Sequence, residues 1–206
     1  MSPHVLVLGT HNQKKRDELT TLLAPYGFEL RNLDDVRDPL TVEETGSSFA
    51  ENACLKATEQ ARHLQMWVMG EDSGLCVDPL GGAPGVYSAR YSGLDATDGD
   101  NNQKLLSELS AVPLPQRSAH YVCHAAVADP MGVVRVQAEA VCRGLIRLEP
   151  AGSAGFGYDP LFEIPEYHCT FGELGDAIKS VLSHRARALR AVIPQLVRLA
   201  RNHQWT

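Results

Sequence analysis

An unbroken apolar run, Val5-Leu6-Val7-Leu8, stands just ahead of Gly9 and is followed by a segment of helical periodicity. A strand that is apolar at every position is buried on both of its faces. Both faces are covered only where helices lie on either side of a sheet, so this run points to an α/β architecture. Residues 14–23 read as the first such helix, with Leu19, Leu22 and Leu23 on one side. The alternation then continues. Residues 28–33 read as a second strand. Residues 49–63 read as a helix that Ser47 or Ser48 would cap, with Glu51 three positions after Ser48. Residues 67–70 form a short strand leading into an acidic pair, and residues 98–109 form a helix. Residues 119–128 and 133–142 read as two long strands around the turn signal Asp129-Pro130-Met131-Gly132. Residues 112–117, with two prolines, join the preceding helix to this hairpin. The last helix spans about 180–201 and carries Leu182, Leu189, Val192, Leu196 and Leu199 at helical spacing, a stripe for the core or a subunit contact.

A chain of 206 residues fits one sizeable domain, or two lobes sharing a core. Its apolar fraction of 44% and charged fraction of 21% are those of a folded globule. A net charge of −6 argues against a general nucleic-acid binder, which carries a basic face. A small anionic ligand stays open, because clustered cations and a metal ion outweigh modest global repulsion. The stretch Met1 to Gly9 has no basic leader pattern and reads as the start of the first strand. No apolar run approaches the roughly 18 residues of a membrane span. Five scattered cysteines without a Cys-x-x-Cys pair suggest reduced thiols and a cytoplasmic location.

Chemistry concentrates in a few places. Glu71-Asp72-Ser73-Gly74 puts two adjacent carboxylates at the end of an apolar run, and a glycine-rich loop with Arg90 follows. Carboxylates are natural ligands for Mg²⁺, and glycines let a backbone approach a bulky anion. Together they suggest metal-assisted chemistry on a phosphorylated substrate. Thr10-His11-Asn12-Gln13-Lys14-Lys15 lies where the first strand meets its helix. Open α/β sheets bind ligands at the carboxyl ends of strands, and a helix N-terminus offers unpaired N–H groups to phosphate. The Walker spacing Gly-x-x-x-x-Gly-Lys is absent, and a helix cap with solvated lysines explains the same residues. In Glu43-Glu44-Thr45-Gly46, two acids precede a helix whose dipole favours them. Alternatively, one glutamate reaches the metal held by Asp72; sequence distance does not decide. Gly155-Phe156-Gly157-Tyr158-Asp159-Pro160 either presents a ring to a planar base or makes an ordinary turn with a buried aromatic. Lys179-Ser180-Val181-Leu182-Ser183-His184-Arg185 places a donor-rich trio at the start of the last helix. His120 and His124 share a strand face; without a visible third ligand, packing or a subunit contact explains them better than zinc.

Taken together and in this order, these segments closely resemble the inosine/xanthosine triphosphate pyrophosphatases. The likeness runs nearly end to end and also includes Phe49-Ala50-Glu51-Asn52-Ala53, Gly81-Gly82-Ala83-Pro84-Gly85 and Ser183-His184-Arg185. It implies an elongated two-lobed α/β fold with a central twisted mixed sheet, flanking helices and a substrate cleft between lobes. It implies a cytoplasmic homodimer acting on a small-molecule nucleoside triphosphate, with no nucleic-acid or membrane partner. The reaction it implies is Mg²⁺-dependent attack of water at the α-phosphate, giving a monophosphate and pyrophosphate from dITP, ITP or XTP.

Carried over residue by residue, the resemblance has Glu44 and Asp72 hold the metal, with Glu71 as a further candidate. Asp72 matches the position of the proton acceptor. Thr10, His11, Asn12, Gln13, Lys14 and Lys15 fall to substrate binding, as do Lys56 and Ser73. Phe156, Gly157, Tyr158 and Asp159 line the base pocket with Lys179, His184 and Arg185. This chain departs from the family pattern at Glu71, where aspartate is common, at Tyr158, where some relatives have tryptophan, and at Gly175-Asp176-Ala177-Ile178, which lacks paired glutamates. Donors near the base suit the 6-oxo group of hypoxanthine and xanthine and oppose the amino group of adenine. Two other readings compete: a pyrophosphatase for other modified nucleotides, and a module that binds triphosphate without cleaving it.

Overall fold

The computed structural model describes residues 4–205. Met1 to Pro3, the beginning of the expected first strand, lie outside the described residues. The elements in chain order are β1 (His4–Leu8), α1 (Gln13–Leu23), β2 (Phe28–Asn32), α2 (Phe49–Leu64), β3 (Val68–Val77), α3 (Asp98–Glu108), β4 (Ser118–Ala128), β5 (Val134–Ile146), β6 (Phe162–Ile164), β7 (Cys169–Thr170), α4 (Phe171–Leu182) and α5 (His184–Arg201). The strands make one mixed sheet in the order β2-β1-β3-β4-β5-β6-β7. β1 runs parallel to β2 and β3, with Leu8 opposite Asn32 and Met69, while β5 with β6 and β6 with β7 are antiparallel.

The chain divides into two compact units, neither of them continuous in sequence. The first comprises residues 1–72, 123–140 and 185–206; the second comprises 73–122 and 141–184.

In the first unit, two apolar layers follow from the two-residue period of strands. Leu6, Leu8, Met69, Ala125 and Val127 form one cluster with Leu19 and Leu23 of α1 and Leu189, Val192, Ile193 and Leu196 of α5. Their neighbours Val7, Val68, Ala126 and Ala128 face the other way, onto Ala53, Ala57 and Ala61 of α2. This is why Leu6, Val7 and Leu8 are apolar in succession. α2 comes unusually close. A methyl group at Gly70 would stand 2.3 Å from the Ala53 carbonyl oxygen and 2.6 Å from the Ala57 nitrogen. In the second unit, Leu75, Val77, Tyr121, Ile146, Phe162 and Phe171 gather with Leu105 and Leu109 of α3.

Three expectations need correction. The strand over 67–70 does not stop at the acidic pair; it continues through Glu71, Asp72, Ser73 and Gly74 to Val77. Sheet pairing overrides the weak strand preference of these residues. The single helix expected over 180–201 is two helices, because Ser183 is extended at φ −63°, ψ 156°. Leu182 therefore belongs to α4 and packs in the second unit, while the rest of the stripe, on α5, packs in the first. Lys179 lies in the last turn of α4 and does not begin the last helix.

Other local readings match the geometry. Ser48 caps α2 through the Glu51 amide at 3.2 Å, while the Glu51 carboxylate turns back to Ser47 N at 2.6 Å. The turn after β4 closes from Gly132 N to Asp129 O at 2.8 Å, with Gly132 at φ +74°. Arg117, at the end of the proline-containing connection, is buried and spends its guanidinium on the carbonyls of Val112, Leu109 and Arg147.

Candidate functional site

Because side chains alternate along β3, the adjacent carboxylates of Glu71 and Asp72 leave the sheet on opposite faces. Asp72 meets α2 and Glu71 meets α1 and α5, so the two have different partners.

Asp72 faces α2. Its Oδ1 accepts from Lys56 Nζ at 3.0 Å and its Oδ2 from Asn52 Nδ2 at 3.2 Å. Lys56 Nζ also donates to Glu44 Oε1 at 3.1 Å. Asn52 and Lys56 are four positions apart on α2, so both reach the same strand position. Glu44 comes from the irregular segment before α2. That segment is held by Gly46 N donating to Asn52 Oδ1 at 2.8 Å. Gly46 is required there, since a methyl group would lie 2.6 Å from Asn52 Oδ1. Three residues far apart in sequence, Glu44, Lys56 and Asp72, thereby converge through one helix and one close glycine contact.

The electrostatics are uneven. Burial pushes the Asp72 carboxyl above its usual range; Lys56 and Lys15 oppose the shift, while Glu44 and Glu71 add to it. Burial draws the Lys56 ammonium down, but Asp72, Glu44 and Glu71 outweigh it and hold the pKa above its ordinary value. A carboxylate kept easier to protonate than usual, beside a firmly charged lysine, is a competent proton acceptor.

Glu71 faces α1 and α5. Its Oε1 accepts from Arg185 Nη2 at 3.0 Å and Nε at 3.2 Å, and from the Cys123 thiol at 3.3 Å. Its Oε2 lies 3.0 Å from Lys15 Nζ. Arg185 also binds Glu18 on α1. The Glu71–Arg185 pair is interior, with Lys15 and Glu18 joining it from partly exposed positions on α1. Opposite charges raise the Arg185 pKa against the pull of burial. Burial, then the neighbouring Glu71 charge, drives the Cys123 thiol far up, which leaves it a poor nucleophile beside its carboxylate.

At the start of α1, Asn12 Oδ1 accepts from Lys15 N at 3.1 Å and so caps the helix, and Thr10 Oγ1 accepts from Asn12 N at 3.2 Å. His11, Asn12, Gln13 and Lys14 are exposed there. Gln13 donates to Asp17 Oδ1 at 2.7 Å.

The second unit holds the remaining candidates. Asp159 Oδ2 accepts from Lys179 Nζ at 2.6 Å and from Phe156 N at 2.8 Å, and both ionic side chains are nearly fully buried. The Lys179 ammonium also lies 4.2 Å from the centre of the Phe156 ring. The turn is closed by Gly155 at φ +76°, where a methyl group would stand 2.1 Å from Asp159 Oδ2. Gly157 is clamped to α3 by Asp98 Oδ2 at 2.8 Å and Asn102 Nδ2 at 3.0 Å. Tyr158 is a core residue whose hydroxyl donates to Ser88 O at 2.9 Å, so the half-buried ring of this segment is that of Phe156. His184 stacks on Tyr121 with ring centres 4.6 Å apart. Ser73 follows Asp72 on β3.

The structure thus sorts the candidates into sets. Glu44, Lys56 and Asp72 meet directly. Lys15, Glu71 and Arg185 meet on the other face of β3, which separates Glu71 from Asp72 as a ligand partner. Arg185 belongs to the first unit, and the contacts that hold it run to Glu71 and Glu18. His120 lies 3.3 Å from Asp78, and His124 bonds Gln137 at 3.2 Å and Glu139 at 3.4 Å. Among the described residues, no three His, Cys, Asp or Glu side chains gather as a metal cluster.

Sequence reasoning left Asn52 and Glu18 without a role. Asn52 had a signal: it sits three positions after Phe49 and beside Ala53, a polar residue on an apolar helix face. Glu18, beside the buried Leu19, had none.

Comparison with known proteins gives the same direction throughout. The family model described as Ham1 family matches residues 6–195. A dITP/XTP pyrophosphatase of Rhodopirellula baltica is 54% identical over 198 residues, covering 96% of this chain and 95% of that protein. The Ham1 protein structure from Staphylococcus aureus superposes with a TM-score of 0.81 at 33% identity, covering 97% of this chain and 99% of the other. The nucleoside-triphosphatase / dITP/XTP pyrophosphatase structure from Mycobacterium abscessus gives a TM-score of 0.75 at 40% identity, covering 93% and 99%.

Proposed function

This chain belongs to the Ham1 family, and from that premise we infer that it hydrolyses non-standard purine nucleoside triphosphates such as dITP and XTP to the monophosphate and pyrophosphate. The observation that carries the chemical reading is the meeting of Glu44 and Asp72 on a single cation, the Lys56 ammonium.

That donor set fits Mg²⁺. The ion prefers hard oxygen ligands and is commonly held by one or two carboxylates, with water and substrate phosphates completing the shell. Two carboxylates that already converge on an ammonium meet this requirement, so Glu44 and Asp72 are the residues that would hold it. Bound Mg²⁺ supplies charge neutralisation and polarises phosphoryl oxygens. The protein's own groups do the rest. Asp72 accepts the proton of the attacking water at a carboxylate oxygen, helped by the environment that raises its pKa. Lys15 and Lys56 offset the charge of the triphosphate. Thr10, His11, Asn12, Gln13 and Lys14 present donors and the N-terminus of α1 to the phosphates, and Ser73 adds a hydroxyl. Phe156 offers a ring face to the base, with Gly157, Tyr158 and Asp159 shaping its turn. Lys179 and His184 bring the donors that favour a 6-oxo purine, whereas Arg185 is held by Glu71 and Glu18 and serves to fix Glu71.

On the same reading, residues 1–206 act as one catalytic domain. The protein works in the cytoplasm as a homodimer on a small-molecule nucleotide, without a nucleic-acid or membrane partner. All five cysteines are free thiols, which suits a reducing compartment. The test is pyrophosphate release across a nucleotide panel, with and without Mg²⁺, beside light scattering for the dimer. Release from dITP, ITP and XTP well above that from ATP or GTP, and only with the metal, is the expected result. Equal rates on all nucleotides would remove the base selectivity, and nucleotide binding without release would remove the catalytic role.

A further inference from the structure

The proposed metal site contains a cation of its own. Lys56 Nζ lies within 3.1 Å of Glu44 Oε1 and 3.0 Å of Asp72 Oδ1, and the second Asp72 oxygen is taken by Asn52. The ammonium holds the same two carboxylates that bind a divalent ion in the reading above, on which this inference rests. We propose that Lys56 is an internal competitor for the metal. In the nucleotide-free protein its ammonium neutralises Glu44 and Asp72, and a triphosphate that draws the ammonium to its own oxygens frees both carboxylates for the cation.

Geometry and charge lead to the same place. Lys56 carries its ammonium on a flexible four-carbon stem from α2, so its head can change partners without moving the helix. Asp72, on β3, and Asn52, on the body of α2, cannot. Two carboxylates and one ammonium sum to a single negative charge. A divalent ion entering alone meets a site already half neutralised and must displace or sit beside a like charge. A triphosphate arriving with the ion absorbs the excess positive charge and gives Lys56 a stronger acceptor. Metal and nucleotide therefore favour each other's binding, and by linkage the coupling is reciprocal. The consequence is a site that takes up the metal together with its substrate and holds it weakly in between.

The experiment measures Mn²⁺ binding to nucleotide-free protein by electron paramagnetic resonance, beside melting curves with and without Mn²⁺. Lys56→Met removes the competing charge and keeps the stem. It is expected to bind Mn²⁺ at least about tenfold tighter than wild type, and to gain more melting temperature from the ion. Lys56→Arg keeps a permanent charge and is expected to bind as weakly as wild type. Lys56→Gln carries the same test should the methionine variant not fold. Equal or weaker Mn²⁺ binding by the neutral variants would overturn the proposal. If that occurs while Asp72→Asn abolishes both Mn²⁺ binding and pyrophosphate release, the competitor role falls and the metal site stands. If Asp72→Asn changes neither, both fall.

Discussion

Replacing Gly70 by alanine adds one methyl group where β3 meets α2, two residues before Asp72. That methyl would stand 2.3 Å from the Ala53 carbonyl oxygen, and real Cβ atoms essentially never come within 3.0 Å of a neighbour. The obstacle is backbone, so no rotamer relieves it, and strand and helix must separate by at least about 0.7 Å in a close-packed interior. Overpacking of this kind typically costs about 1–3 kcal/mol, and a backbone clash belongs at the upper end. For a chain of this length each kcal/mol lowers the melting temperature by roughly 2–4 °C, so a loss of about 6–12 °C is expected. Catalysis should suffer further. Asn52 and Lys56 ride on the displaced helix, and their bonds to Asp72 are already 3.2 and 3.0 Å long. A misplacement near 1 Å costs roughly a hundredfold in rate. Thermal unfolding by circular dichroism and pyrophosphate release from ITP measure both effects. Gly27→Ala is the control: its φ is +77° but no atom lies within 4 Å, so it strains the backbone and should leave turnover unchanged. A Gly70→Ala protein that melts within about 2 °C of wild type, with unaltered kcat/KM, would refute the claim that this contact sets the site.

Three other expectations follow from named contacts. Asp72→Asn should fold normally yet lose about 10²–10⁴-fold in pyrophosphate release, the usual worth of a general base, and near wild-type turnover would exclude Asp72 as proton acceptor. Arg185→Met strips the fully buried Glu71 of its two-pronged partner and should cost about 3–5 kcal/mol. Glu71→Gln in the same chain should restore part of that loss in urea titrations, and strictly additive losses would show the two are not coupled. Asp129 accepts from Met131 N, Val133 N and Arg135, bonds that hold its carboxyl below the usual range against the opposing effect of burial. A lowered folded-state pKa contributes stability above the unfolded value of 3.8 and loses it as pH falls through the folded one. Asp129→Asn should therefore melt below wild type at neutral pH, and the gap should close in acid. A gap that stays constant with pH would show that the charge contributes nothing.

Much of this molecule was legible in its residues. The doubly apolar Val5 to Leu8, the turn at Asp129 to Gly132 and the Ser48 cap are local statements, set by side-chain period, glycine conformation and hydrogen-bonding reach. The chemical types at the site, clustered acids and lysines, were legible too, and their order along the chain carried the family resemblance. Ser183 was not, because a single extended residue between two helical stretches leaves no periodic trace. Nor was the length of β3: pairing to neighbouring strands, absent from any local window, carries it through Ser73 and Gly74.

Pairing of charges lay beyond the sequence altogether. Glu71 and Asp72 are neighbours in the chain, and only the sheet sends them to opposite faces, one to Arg185 and Lys15, the other to Lys56 and Asn52. Which acid meets which base depends on the helix that covers each face and on how closely it approaches, here through the bare backbone of Gly70 and Gly46. The chain by itself determined the inventory of groups and the elements that carry them; the tertiary structure decided their partners, because Coulomb interactions and hydrogen bonds act through space and a pleated strand alternates its side chains.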